Sequence, residues 1–209
     1  MEQQTVHLFV LDTMADWETG YAVAGINQPT FQTQPGRYAI RTVGLTRDPV
    51  RTMGGLTIVP DLSLDEVTPR ESAMLILPGA IAWDEGDIAA PVEKAREFLA
   101  AGVPVAAICG ATAGLARHGV LDGRPHTSNA PEYLAMAPGY AGQAHYVSEP
   151  AVRDGDLITA GGTAPVHFAR EIFERLELYA PEVLDAWFAL HTTGDASAFY
   201  ALQEGAGEG

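Results

Sequence analysis

Short apolar runs alternate along the chain with longer amphipathic stretches. The apolar runs have the length of buried strands, and they lie at 5–11, 38–45, 56–59, 73–77, 103–108, 144–147 and 157–159. The amphipathic stretches have the length and apolar spacing of helices, and they lie at 16–26, 88–101, 111–118, 164–176, 181–190 and 195–202. Strands that alternate with helices favour a mainly parallel sheet covered on both faces, so the pattern predicts an α/β fold.

The extent of the chain fits one such domain. It has 209 residues, of which 47% are hydrophobic, and this suits a single α/β domain with a full core. We expect the domain to cover 1–203 and the Gly-rich, acidic segment 204–209 to form a flexible tail. In the first helix, Trp17, Tyr21 and Ala24 fall on one face.

Charge and cysteine content exclude several classes of function. The net charge of −15 disfavours partners that present phosphates, both nucleic acids and anionic membranes, and simple colloidal repulsion suffices to explain it. No apolar run is long enough to span a membrane, and no signal segment is visible. The single cysteine excludes a disulfide framework and a Cys-x-x-Cys metal site. We therefore expect a cytoplasmic protein without metal or cofactor.

That single cysteine, Cys109, stands between a strand-like run and a helix-compatible run. Ala107 lies two residues before it, Ala111 two residues after it, and Gly110 directly after it. Small neighbours at these positions are typical of a nucleophile elbow, the sharp strand-to-helix turn that exposes a reactive side chain. A helix N-terminus at the sulfur is expected to lower the thiol pKa. The alternative is a buried structural cysteine.

Five segments, taken in order along the chain, resemble the ThiJ/PfpI superfamily, which includes the Parkinsonism-associated deglycases and is related to class I glutamine amidotransferases. They lie at 10–18, 74–79, 105–111, 121–129 and 156–162. Each segment is a weak signal by itself. The ordered set is specific for the superfamily and not for one activity.

The resemblance implies a flavodoxin-like three-layer sandwich, a homodimer, and Cys109 as the nucleophile on the elbow. It also matches Glu18 to an acidic residue whose carboxyl group hydrogen-bonds the cysteine sulfur. That contact requires a mostly protonated carboxyl beside a thiolate, since two adjacent negative charges raise both pKa values. The alternative for Glu18 is a solvated acid at a helix start, where the helix dipole favours negative charge.

The resemblance further implies that the backbone N–H groups of Gly79 and Gly110 face the cysteine, where such donors stabilise an oxyanion. The alternative for Gly79 is a plain Pro-Gly turn. Many relatives carry a histidine near the cysteine, about where Asn129 stands in this chain. His126 lies three residues earlier and is the candidate to replace it; the alternative is a histidine with a structural hydrogen bond.

Two departures from the family pattern narrow the activity. Gly110 stands where protease-like members carry a histidine, and none of the six histidines begins the His-x-Glu motif of glutamine amidotransferases. The peptidase and glutaminase interpretations are therefore weakened. Three hypotheses remain: an enzyme whose thiolate adds to a small-molecule aldehyde, dicarbonyl or isonitrile, an oxidative-stress sensor oxidised at Cys109, and a chaperone-like dimer with an inert elbow.

Overall fold

The strands of this protein form one large sheet and one small ribbon. A computed structural model describes residues 3–86 and 88–206, with the side chains of 204–206 left aside. Its strands are β1 (Gln4–Phe9), β2 (Tyr38–Gly44), β3 (Val50–Arg51), β4 (Thr57–Ile58), β5 (Leu62–Ser63), β6 (Ser72–Leu77), β7 (Val105–Ile108), β8 (Ala151–Asp154) and β9 (Leu157–Ala160). The antiparallel pair β3–β4 is the ribbon.

Helices occupy most of the chain between the strands. They are α1 (Asp16–Asn27), α2 (Ala82–Glu85), α3 (Ala89–Ala100), α4 (Gly110–Arg117), α5 (Pro131–Ala135), α6 (Pro165–Arg175), α7 (Pro181–Thr193) and α8 (Ala196–Ala206). Short 3₁₀ turns lie at Pro29–Phe31, Leu64–Glu66, Pro69–Glu71 and Gln143–His145. The segment 207–209 of the predicted tail lies outside the described residues, whereas 204–206 continue α8.

The large sheet has the strand order β5-β2-β1-β6-β7-β9-β8. All neighbours in it are parallel except β8, which pairs antiparallel with β9 at one edge. Helices α1, α6, α7 and α8 pack together as one layer, and α3 and α4 pack against the central strands with α2 and α5 beside α4. This arrangement confirms the predicted flavodoxin-like α/β sandwich. The carboxyl ends of β1, β6, β7 and β9 meet at one edge, where ligands bind in such folds.

One predicted strand is wrong. The run 144–147 forms a 3₁₀ turn and then a single isolated bridge between Tyr146 and His126. The edge strand comes later, at β8, where the Gly155 turn returns the chain directly onto β9. An apolar run of four residues is too short for its period to distinguish a strand from a packed loop.

The buried face of α1 is not the one that carries Trp17, Tyr21 and Ala24. Trp17 is 53% exposed, and the buried positions are Glu18, Thr19, Ala22, Gly25 and Ile26, of which Ile26 is the one large apolar residue. The cause is close packing of α1 on α6, since a Cβ atom on Gly25 would overlap the ring of Phe173. The close approach of α1 to α6, rather than hydrophobicity, therefore determines which face of α1 is buried. Glu18 lies on that buried face.

No helix within the described ranges combines the length and the apolar character that a membrane crossing needs.

Candidate functional site

Cys109 occupies the sharp turn between β7 and α4. Its backbone has φ 57° and ψ −123°, angles that a residue with a side chain rarely adopts. Its N–H donates to the carbonyl of Ala160 at 2.9 Å, which continues the β7–β9 pairing into the turn. The hydroxyl of Thr112 donates to the Cys109 carbonyl at 2.5 Å. The elbow is thus fixed from the sheet on one side and from α4 on the other.

The glycines around the elbow make room for a buried indole. A Cβ atom on Gly110 would lie 3.2 Å from Trp83 and 3.0 Å from the Ala80 carbonyl, and one on Gly114 would lie 2.6 Å from the Trp83 ring. Trp83 is fully buried, and its indole N–H donates to the Pro78 carbonyl at 2.9 Å. The ring therefore fills the space beneath the start of α4 and supports the elbow from below.

Glu18 reaches the sulfur from the first turn of α1. The N–H of Ala15 donates to the Gly79 carbonyl at 3.0 Å, which ties the start of α1 to the loop after β6. In return, the N–H of Gly79 donates to Glu18 Oε2 at 2.6 Å. The carboxyl group is 1% exposed and also hydrogen-bonds the side chain of Cys109. The structure thus brings the acid and the thiol together, and the solvated-acid alternative for Glu18 does not describe it.

The two groups form a coupled acidic pair. Burial raises the pKa of Glu18 to about 7, against the opposing effect of its hydrogen bonds with Cys109 and Gly79. Burial and the negative charge of Glu18 raise the pKa of the Cys109 thiol to about 11, although hydrogen bonds from Asn129 and Gly110 oppose this. The expectation of a lowered thiol pKa is therefore wrong, because burial and the carboxylate outweigh the helix N-terminus.

Asn129 lies on the other side of the sulfur. Its Nδ2 is 3.3 Å from Cys109 Sγ, and its Oδ1 accepts the N–H of Gly162 at 2.8 Å. The carbonyl of Gly162 in turn accepts the indole N–H of Trp17 at 3.2 Å. A Cβ atom on Gly162 would lie 2.8 Å from the sulfur, so the backbone turn after β9 closes directly over it.

His126 is not brought to the sulfur. It is fully buried, and its Nδ1 lies 2.7 Å from the Arg124 carbonyl and its Nε2 2.7 Å from the Tyr140 hydroxyl. Burial lowers its pKa, so the neutral ring donates from Nδ1 and accepts at Nε2. Tyr146 packs edge-on against the ring. Both nitrogens are thus engaged, which matches the structural alternative and leaves Asn129 at the thiol.

The two glycines named from the sequence lie on either side of the pair. The N–H of Gly79 is directed at the carboxyl oxygen of Glu18 and not at the open side of the sulfur. The N–H of Gly110 contributes a hydrogen bond to Cys109. Of the two, Gly110 is the one whose N–H is hydrogen-bonded to Cys109.

A buried phenol on α5 is paired with an acidic side chain of α2. The hydroxyl of Tyr133, on α5, donates to Asp84 Oδ1 at 2.7 Å. Burial, the hydrogen bond to Asp84 and the negative charge of Asp84 raise the pKa of this phenol, so it is neutral. No group of three or more His, Cys, Asp or Glu side chains suited to a metal ion occurs in the part of the chain that the structure describes.

Comparison with known proteins agrees with the fold. Residues 4–175 match the DJ-1/PfpI family. A relative named "Uncharacterized protease YoaZ", from Bacillus subtilis, is 42% identical over 205 residues, which are 97% of each chain. A ThiJ/PfpI family protein from Bacillus anthracis superposes with a TM-score of 0.90 at 41% identity, covering 98% of this chain and 99% of that one.

A shorter match concerns a named activity. The relative called "Deglycase PfpI", from Pyrococcus furiosus, is 41% identical over 75 residues, which are 35% of this chain and 45% of that one. The match over residues 4–175 and the full-length similarity to the B. subtilis and B. anthracis proteins together show that this chain belongs to the DJ-1/PfpI family.

Proposed function

We propose that this protein is a cysteine-dependent enzyme whose Cys109 thiol adds to the carbon of a small electrophile, such as a reactive aldehyde, a dicarbonyl or an isonitrile. The observation that carries the proposal is the buried Glu18 carboxyl, hydrogen-bonded to the thiol and with its pKa raised to about 7. A group that titrates near neutral pH can both accept and return a proton under working conditions.

The raised pKa of Cys109 determines how the addition proceeds. A free thiolate is disfavoured beside the Glu18 carboxylate, so the thiol loses its proton to Glu18 as sulfur attacks. With an aldehyde, the C–S bond forms, the C=O π bond breaks, and Glu18 passes the proton to the new oxygen. The product is a hemithioacetal. Conversion of glyoxal and water to glycolate then oxidises one carbon and reduces the other, so it needs no external oxidant.

Peptide hydrolysis requires catalytic groups beyond those that contact Cys109. Amide cleavage needs a proton for the departing amine and an activated water for the thioester, roles that an imidazole fills in many cysteine and serine hydrolases. The side chains hydrogen-bonded to Cys109 are Glu18 and Asn129, and an amide does not titrate. The protease name of the B. subtilis relative is therefore not carried over to this chain, and the deglycase name of the P. furiosus relative agrees better with the site.

Turnover assays on pure protein test the proposal. We expect conversion of glyoxal to glycolate, or hydration of an isonitrile, by the wild type, with loss in Cys109→Ser and in Glu18→Gln. Glu182→Gln removes an exposed carboxylate at the start of α7, and this matched variant should keep the activity. Casein and glutamine should not be hydrolysed, and the electrophile activity should persist in the presence of a chelator.

Two results would overturn the proposal. One is robust hydrolysis of casein or glutamine that disappears in Cys109→Ser. The other is the absence of turnover with every electrophile tested, together with clean oxidation of Cys109 by peroxide. That combination would favour the sensor function. Intact mass spectrometry distinguishes that oxidation from the unreactive elbow of a chaperone-like dimer.

We further infer a homodimer in a reducing compartment such as the cytoplasm. The family resemblance supports the dimer, and the lone thiol supports the compartment. Light scattering of a dilute sample should give twice the monomer mass of 22.2 kDa. A mass near that of the monomer would contradict the dimer.

A further inference from the structure

The orientation of the Asn129 side chain is fixed by its neighbours. Oδ1 accepts the N–H of Gly162 at 2.8 Å, and an N–H group cannot serve as an acceptor for the amide nitrogen. The NH₂ end must therefore face Cys109, where Nδ2 lies 3.3 Å from Sγ. Because a carboxamide does not titrate, the sulfur faces a hydrogen-bond donor at every pH.

The segment that carries Asn129 is anchored on three sides. Thr127 donates its N–H to Thr159 Oγ1 at 2.9 Å and its hydroxyl to the Glu149 carbonyl at 2.8 Å. The hydroxyl of Ser128 is 2.6 Å from that of Thr112. Thr112 already donates its proton to the Cys109 carbonyl, so Ser128 is the donor of this pair.

These bonds connect the elbow and the segment before Asn129 through buried polar contacts. The amide therefore reaches the sulfur with little conformational freedom, which is how supporting residues make a reactive site precise.

Both backbone groups of Gly162, its N–H and its carbonyl, are hydrogen-bonded to side chains. Asn129 accepts its N–H, and Trp17 donates to its carbonyl at 3.2 Å. The space above the sulfur is so narrow that a Cβ atom on Gly162 would lie 2.8 Å from it. Asn129 thus has two contacts that can be separated by substitution: it donates to the sulfur, and it accepts from the turn that covers the sulfur.

We propose that Asn129 is a positioning residue of this site, which donates a hydrogen bond to the sulfur as negative charge develops there and holds the Gly162 turn over it. The titratable group hydrogen-bonded to the thiol is Glu18 from α1, and the phenol of Tyr133, from α5, is neutral. Neither is a cation. Among the described residues, the groups that favour a negative sulfur are therefore Asn129 and the N–H of Gly110.

The inference deepens the proposed function and rests on it, because negative charge develops on the sulfur when the thiol passes its proton to Glu18. It also predicts a specific pH behaviour. A histidine at this position would add its own titration near neutral pH, whereas an amide leaves Glu18 and the thiol as the groups that set the profile.

The experiment uses the rate of iodoacetamide alkylation as a function of pH, which reports on Cys109 alone because the chain has one cysteine. Asn129→Asp keeps an oxygen for Gly162 and replaces the donor by an acceptor. Asn129→Ala removes both contacts, and because residue 129 is exposed both variants should fold. Asn27→Asp is the matched control, since Oδ1 of this exposed side chain accepts the Ile40 N–H at 3.1 Å far along the helix from Glu18.

We expect Asn129→Asp to slow alkylation at pH 8 by roughly tenfold or more and to move the profile to higher pH, since a bond to a charged group is lost and a second carboxylate is added. Asn129→Ala should slow it by a smaller factor, and Asn27→Asp should match the wild type. Unfolding temperatures of the variants are measured in parallel.

Wild-type alkylation kinetics in a folded Asn129→Asp protein would overturn the inference. Equal kinetics of folded Asn129→Ala and wild type would do the same if Asn129→Asp does not fold. The alkylation readout does not depend on turnover. If no electrophile is converted but Asn129→Asp still slows alkylation, the proposed function fails and the role of Asn129 stands.

Discussion

Replacing Glu18 with glutamine exchanges a buried acid for a neutral side chain of the same shape. Glutamine can accept the Gly79 N–H with its oxygen and donate to Cys109 with its nitrogen, so the hydrogen bonds persist in form. What changes is the ionisation of the group. The variant therefore isolates the effect of a buried carboxylate on the stability of the fold.

The magnitude follows from the pKa of Glu18, which burial raises from 4.5 to about 7. A group with a raised pKa in the folded state stabilises that state fully below its unfolded pKa. This contribution is lost as the pH rises through the folded value. At 1.36 kcal/mol for each pH unit, the interval corresponds to roughly 3 kcal/mol of unfolding free energy lost by pH 8.

Denaturant unfolding of the wild type and Glu18→Gln at pH 4 and at pH 8 measures this effect. We expect the stability of the variant relative to the wild type to increase by roughly 3 kcal/mol between the two values. Glu182→Gln carries the same change of charge at an exposed site, and its difference from the wild type should stay nearly constant. If the Glu18→Gln difference were also constant, burial would not perturb this carboxyl group and its role as a proton acceptor near pH 7 would be refuted.

Three further substitutions test the surroundings of the sulfur. Gly162→Ala should slow alkylation of Cys109 and abolish turnover, because its Cβ would lie 2.8 Å from the sulfur. Gly114→Ala should lower the unfolding free energy by about 1–3 kcal/mol in denaturant titrations, because its Cβ would lie 2.6 Å from the ring of Trp83. His126→Ala should destabilise the fold by roughly 2–4 kcal/mol, since two buried hydrogen bonds are lost, yet leave the alkylation rate near that of the wild type.

Each of these substitutions has a control within the chain. Gly123→Ala introduces a Cβ with no atom within 4 Å, so it should leave stability and reactivity unchanged. Tyr140→Phe removes one partner of His126 without reaching the sulfur and should reproduce the smaller part of the His126→Ala effect. A strong loss of Cys109 reactivity in His126→Ala, without a similar loss in Tyr140→Phe, would indicate that His126 contributes to the reactivity of Cys109.

Much of the fold could be predicted from the sequence because central parallel strands are buried on both faces. Strands β6 and β7 are apolar almost throughout, and β1 and β9 are mostly apolar, so each is visible in the sequence as a short run between turn residues. The periodicity of apolar residues does not predict features that tertiary contacts determine. The face of α1 is selected by its close approach to α6, and no local pattern in the sequence records that distance.

The site was predictable to a similar degree. Small neighbours identified the elbow at Cys109, and the resemblance supplied Glu18. His126 and Asn129 are three residues apart between α4 and α5, and no local pattern in the sequence records which of the two turns toward Cys109. With His126 turned toward Tyr140, Asn129 faces the sulfur. The raised thiol pKa could not be predicted, because burial depends on all the layers around the elbow.

The backbone angles of Cys109 impose a cost in stability on any residue that carries a side chain at this position, including the thiol. Glycine adopts a positive φ such as its 57° without strain, whereas every residue with a Cβ atom retains a strain of about 1–3 kcal/mol. Serine or alanine at this position would remove the thiol and keep the strain. Glycine would remove both the thiol and the strain. The gain in stability would be reduced by roughly 0.4–1 kcal/mol, because glycine gives the unfolded chain more conformational freedom. Replacing Cys109 with glycine would thus raise the stability of the fold and remove the thiol, so any side chain at this position is kept at a cost in stability.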